Sequence, residues 1–180
     1  PDIAKADAGT IELVRHFGVD VGSSGNLAQL FEATWAAAHW ELPQPAAVTT
    51  NAAYDVAWNF IAERIRSEHH VSEEAVRDRI MEHFRANGLT TYSPPIVGRN
   101  AHSGMPHYET GAGDETLIRE GDFVLIDLWA RLDQERAVYS DLTRTGFVGD
   151  AVPEKYTKIF NIVAAARDAG IALVRNRFAK

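Results

Sequence analysis

Cysteine is absent from all 180 residues. Its absence excludes disulfide staples, a thiol nucleophile and thiolate metal ligands, so any metal must be held by His, Asp or Glu. It also agrees with a reducing compartment, and a cytoplasmic location is expected. Positive charge is scarce as well: 18 Lys and Arg stand against 25 Asp and Glu, a formal net charge of −7. Phosphate backbones and anionic lipid repel such a chain, so neither nucleic acid nor a membrane is expected as a partner. No apolar run reaches the roughly 18 residues that a membrane span needs. What is present is ample core material, 46% apolar residues, and this excludes disorder as the main state.

The organisation along the chain follows from punctuation and periodicity. Thr10 is expected to cap a short helix with Ile11, Val14 and Phe17 on one face, stopped by Gly18. Val19 to Val21 reads as a short strand, and Asn26 to Trp40 as a second helix with Leu27, Leu30, Phe31 and Trp35 in its stripe. Pro43 and Pro45 are expected to break that helix. From Asn51 onward Ala53, Val56, Ala57, Phe60, Ile61 and Ile65 form one amphipathic face, and Ser72 caps a further helix that turns Val76, Ile80 and Phe84 inward before Asn87 and Gly88 end it. Tyr92 to Gly98, with Pro94 and Pro95, fits only an edge or irregular strand. Asn100 to Gly113 is a His- and Gly-rich loop. Phe123 to Arg131 and Ala137 to Val148 read as a hairpin, and Pro153 opens a last helix. This order is α+β, not a regular βαβ array.

The strand from Phe123 to Ala130 is apolar on both faces except at Asp127, where an unpaired buried carboxylate would cost several kcal/mol. On the partner strand Asp141 shares a face with Tyr139, Thr143 and Thr145. A hairpin symmetric about Gln134 sets Asp127 directly opposite Asp141, with their Cβ atoms roughly 5 Å apart. Like charges so placed repel, which calls for a protonated partner or a cation between them. A second reading stays open at this point, in which one Asp is a surface ladder residue or pairs with Arg131 or Arg144.

Three blocks in order bear on the choice: Val97 to Tyr108 (VGRNAHSGMPHY), Gly121 to Asp127 (GDFVLID) and Tyr139 to Thr145 (YSDLTRT). Together they resemble the creatinase/aminopeptidase, or pita-bread, metallopeptidases, and within that family the Xaa-Pro aminopeptidases and Xaa-Pro dipeptidases most. The resemblance runs from about Ala52 to Ala169, and the run Thr10 to Gly18 (TIELVRHFG) is similar to the end of the non-catalytic amino-terminal domain of such enzymes. It implies that residues 1–45 are the tail of that domain plus a linker, and that residues 46–180 are the first half of a pita-bread domain. By the same resemblance Asp127 is a bidentate ligand of one metal ion and Asp141 bridges two, the ions being Mn, Co, Fe or Zn. His107 becomes the catalytic imidazole that contacts the substrate backbone and the tetrahedral intermediate. His102, in the same loop, is either a pocket residue that binds substrate or an exposed His without a role. Trp129, two residues from Asp127 on its face, is a further substrate-binding candidate.

Two departures qualify the resemblance. Asp127 and Asp141 lie fourteen residues apart, longer than the usual family spacing, with the surplus in the Asp133 to Arg136 turn. The family's remaining ligands, a His and two Glu, lie downstream of the second Asp, whereas here only Glu154 follows Asp141 and no His does. The chain begins at Pro1 and ends at Lys180 directly after the helix-like run Lys155 to Phe178, and is expected to be a piece of a longer parent. The implied function is a metal-dependent exopeptidase that hydrolyses Xaa-Pro bonds through a dinuclear metal-activated hydroxide, acting on a peptide, with this piece inactive alone. A homodimer is the oligomer the resemblance points to. The alternative is a catalytically inactive pita-bread module that binds a peptide or protein. Retention of both Asp argues against it, and against a metal-free creatinase-like hydrolase.

Overall fold

In the computed structural model, residues 6–34, 43–113, 116–135 and 137–178 are described. The backbone of the fold is strand β5, Phe123–Leu132, whose β-branched and apolar residues alternate between two unequal faces. Val124, Ile126, Leu128 and Ala130 are wholly buried, while Phe123, Leu125, Asp127 and Trp129 on the other face are only half-buried. One face is therefore core and the other open, although the sequence is apolar on both. Along one edge β5 pairs antiparallel with β6, Ser140–Phe147. Along the other edge it pairs with β2, Leu89–Thr90, and β3, Ile96–Arg99, in succession, so β3 is the expected edge strand. A separate ladder joins β1, Val71–Ser72, to β4, Leu117–Ile118.

The β5–β6 register departs from the symmetric hairpin. Asp127 faces Thr143 and Asp141 faces Trp129, so the two carboxylates share a face but sit diagonally. The pivot falls at Glu135, and pairing begins only at Ser140, not Ala137. Hydrogen bonds in the turn account for this: Asp133 donates its N–H to Gly88 O at 2.9 Å, and Arg131 Nη1 donates to Gln134 O at 2.9 Å. These bonds commit the first turn residues to other partners than the returning strand.

Helix α3, Pro43–Glu68, and helix α4, Glu73–Ala86, cover the buried face of β5. Pro43 and Pro45 begin α3 rather than break a helix, because the first turn has no intrahelical use for the N–H that proline lacks. Ala53, Tyr54, Ala57 and Ile61 of α3 meet Val76, Ile80 and Phe84 of α4 and the inner residues of β5 in one core. Ser72 caps α4, its Oγ accepting the Ala75 N–H at 3.1 Å. Ser72→Ala is expected to cost about 1 kcal/mol, read as a lower midpoint in urea unfolding.

Before the sheet, α1 is Ala8–His16 and α2 is Gly25–Glu32. Asp7, not Thr10, caps α1, with its Oδ1 accepting the Thr10 N–H at 2.9 Å. Val19 to Val21 form no strand, since no strand among the described residues offers them a ladder. His39, Trp35 and Trp40 lie outside the described residues. The last helix, α5, is Glu154–Phe178, with Ile159, Phe160, Ile162 and Val163 exposed.

A buried ion pair locks β3 to the start of β5. Asp122 accepts from Arg99 Nε (2.9 Å), Asn100 Nδ2 (2.6 Å) and the Arg119 N–H (2.8 Å). Burial pushes its carboxyl up, but the Arg99, Arg119 and Asn100 hydrogen bonds outweigh this and hold it below the usual value. The stabilisation is therefore present above the ordinary Asp range and lost as pH falls through the depressed value. Asp122→Asn is expected to cost about 2 kcal/mol at pH 7. The gap from the parent should narrow as pH falls below the ordinary Asp value, as urea unfolding at pH 7 and in progressively stronger acid would show.

Candidate metal centre

The open face of β5 and β6 carries both acidic candidates. Thr143, opposite Asp127, donates its hydroxyl to Asp127 Oδ1 at 2.6 Å, which fixes the carboxylate against the sheet. Asp141 is pushed above the ordinary Asp value, first by burial and then by the negative charge of Asp127. Neither carboxylate has a cationic partner among the described residues. Arg144 donates to Asn51 Oδ1 and lies 4.8 Å from the Tyr54 ring centre. Arg131 bonds the turn and lies 5.8 Å from the Tyr139 ring centre. Both arginines are thus engaged elsewhere. Beneath the strands the Tyr54 hydroxyl donates to Leu142 O and Ile126 O. Burial, then the charge of Asp127, hold its ionisation well above the ordinary tyrosine range.

This arrangement suits a hard, oxygen-preferring cation, whose charge would offset both the burial of Asp141 and its repulsion by Asp127. Two carboxylates are nevertheless only part of a ligand set. No group of three or more His, Asp or Glu able to hold a metal occurs among the described residues.

The other candidates separate. His107 is exposed, at a left-handed φ of 60°, a conformation that costs about 1–3 kcal/mol outside glycine. It shares a cavity of about 540 Å³ with Tyr92, Pro94, Pro95 and Trp129. Trp129 lines that cavity and faces Asp141, its buried Nε1 having no hydrogen-bond partner. Tyr92 and Tyr139 form an aromatic group with it, Tyr92 lying 6.0 Å from Trp129 and 5.5 Å from Tyr139 between ring centres. His102 is neither an exposed loop residue nor a wall of this cavity. Its Nδ1 bonds Glu73 Oε1 at 2.9 Å and its ring stacks on Tyr108 at 4.4 Å. The structure thus brings Asp127, Asp141 and Trp129 to one face, sets His107 at the adjoining cavity, and turns His102 inward.

Sequence reasoning missed Thr143 as the Asp127 donor and Glu73 as a buried group. Thr143 was legible from even spacing to Asp141 on a strand. Glu73 was legible from its place at helical spacing before Val76, Ile80 and Phe84.

Comparison with known proteins adds the following. The model of the family described as Metallopeptidase family M24 matches residues 44–179. No curated protein sequence matches the chain. Among solved structures, the prolidase from Pyrococcus furiosus is similar with 22% identity and a TM-score of 0.65, over 91% of this chain and 45% of its own. The Xaa-Pro dipeptidase from Bacillus anthracis has 25% identity and a TM-score of 0.63, over 90% and 42%. The X-prolyl aminopeptidase from Caenorhabditis elegans, titled a cytosolic enzyme with a di-nuclear active site, has 19% identity and a TM-score of 0.60, over 72% and 21%. The chain thus spans less than half the length of each, and the shared fold is the pita-bread fold.

Proposed function

This chain belongs to metallopeptidase family M24, and on that premise we propose that it contributes Asp127 and Asp141 to the divalent-metal site of an exopeptidase that cleaves Xaa-Pro peptides. The observation that carries the reading is the pair itself: two carboxylates on one open sheet face, with no cation beside them among the described residues and with Asp141 raised by burial and then by the charge of Asp127. The titles of the three similar structures, a prolidase, an Xaa-Pro dipeptidase and an X-prolyl aminopeptidase, support the Xaa-Pro preference. The di-nuclear site named for the C. elegans enzyme supports two ions, and its cytosolic label supports a cytoplasmic location.

A divalent ion bound by these carboxylates supplies Lewis-acid polarisation of a carbonyl and lowers the pKa of water. The chain's own residues do the rest. Thr143 holds Asp127 by its hydroxyl bond to Oδ1, which leaves the second oxygen available to a metal. Trp129 and Tyr92 wall the space beside the carboxylates and exclude water from an apolar substrate residue. His107, at the cavity rim, contacts the peptide backbone. With two carboxylates and no third ligand among the described residues, this chain alone is expected to be without turnover.

Calorimetric titration of the chain with Mn²⁺, Co²⁺ or Zn²⁺ tests the reading. Weak binding is expected, with a Kd of roughly 10⁻⁴ to 10⁻³ M, lost in both Asp127→Asn and Asp141→Asn. Binding that survives both substitutions, or none at millimolar metal, would overturn the assignment. Hydrolysis of Xaa-Pro over Xaa-Ala peptides by a preparation containing the remaining ligands tests the specificity.

A further inference from the structure

The side chain of Glu73 is wholly buried at the start of α4, where the core spacing of Val76, Ile80 and Phe84 would accept an apolar residue equally well. A carboxylate in such a place must be fully hydrogen-bonded. Its partners come from the end of β3 and the loop that follows it. Glu73 Oε1 accepts the Arg99 N–H at 2.7 Å and His102 Nδ1 at 2.9 Å, and Oε2 accepts the Tyr108 hydroxyl at 2.6 Å. The stack of His102 on Tyr108 closes the loop on itself.

From this arrangement we infer that Glu73 is the positioning residue that holds His107 at the cavity. The inference rests on the reading of His107 given above. His107 immediately precedes Tyr108, so the anchor lies one residue, about 3.8 Å of chain, from the exposed imidazole. A left-handed backbone at a non-glycine residue persists only where its surroundings over-determine it. The anchors at Arg99, at the end of β3, and at His102 and Tyr108 in the loop supply that constraint. Helix α4 thereby passes its rigidity to a segment that has little regular structure of its own, a 3₁₀ turn at Asn100–Gly104 and the irregular stretch after it.

The inference is tested by hydrogen exchange and imidazole NMR on the 180-residue chain, comparing Glu73→Gln and Tyr108→Phe with the parent. Glu73→Gln keeps the volume but turns one acceptor into a donor. Tyr108→Phe keeps the ring and removes only the hydroxyl. In both variants the amides from Asn100 to Ala112 are expected to exchange about tenfold faster or more, a change well within local-opening behaviour. Glu73→Gln should add the Arg99 amide to these, and the His107 imidazole signals should shift or broaden. The amides of Ile126 and Leu128 should keep their protection. Unchanged loop exchange and unchanged His107 signals would overturn the inference. So would loss of protection at Ile126 and Leu128 in step with the loop, since that marks Glu73 as a general core residue. Neither metal nor peptide is present, so a loosened loop in a chain that fails to bind metal would retain the anchor and remove the peptidase reading.

Discussion

Asp127→Asn is expected to lower kcat/KM for a Xaa-Pro peptide by about 10³-fold or more in any preparation that hydrolyses one, a loss of roughly 4 kcal/mol of transition-state stabilisation. The substitution is nearly isosteric. An amide oxygen can still accept the Thr143 hydroxyl bond that now fixes Asp127, so the local packing should survive and the effect should lie in charge alone. Asp141→Asn should lose activity on the same scale. Its effect on stability has a definite sign. Burial and Asp127 raise the Asp141 carboxyl, so its ionised form weakens the metal-free fold above the ordinary Asp value, and protonation relieves that in acid. Removing the charge should leave the metal-free protein as stable at pH 7 as the parent or more so, with the difference vanishing at pH 3. Circular-dichroism melts beside the kinetic assay separate the cases. A ligand loses turnover and keeps its melt, whereas a structural ion-pair residue loses both.

Phe84→Ala is expected to cost about 3–5 kcal/mol, a large part of the stability of a domain this size. Phe84 is 1% exposed and belongs to the core built by α3, α4 and β5. Its ring lies in the last turn of α4, where Asn87 and Gly88 end the helix and Gly88 O receives the Asp133 N–H. A cavity there undercuts the helix end and the support of the turn together. Urea unfolding should show a midpoint well below that of Phe84→Leu, which fills most of the space. Equal midpoints would mean that the neighbouring side chains collapse into the gap.

The parts of this fold legible in sequence are those set by local chemistry. Ser72 capping α4, the inward spacing of Val76, Ile80 and Phe84, and the shared facing of Asp127 with Trp129 all depend on residues a few positions apart. The features that differ from expectation depend on distant partners. Gly88, remote in sequence from the hairpin, accepts the Asp133 N–H and helps place the β5–β6 pivot at Glu135. Pro43 and Pro45 read as a break, yet α3 extends to Pro43 because Ala46 and Thr50 find a buried place against the sheet side, where the Thr50 hydroxyl meets Ser140 Oγ at 2.8 Å. The even spacing of Asp127 and Asp141 placed both on one face, but the offset between them was hidden in the turn. His102 was ambiguous because its partner, Glu73, is a charged residue in a core position.

The length of the connection between β5 and β6 therefore acts as a key for the acidic pair. Side chains on a strand alternate, so deleting or inserting one residue there, with the ladder otherwise kept, would swing Asp141 to the side of Val124 and Ile126. Changing the turn by two residues would keep the facing and slide β6 one step along β5, moving Asp141 toward or away from Asp127 and taking Thr143 from its place opposite Asp127. Loop length in this hairpin is thus an adjustment of carboxylate spacing that, in steps of two, keeps both acids on the open face. Among relatives whose hairpins differ in length, the step between even and odd should divide those that keep both acids on one surface from those that cannot.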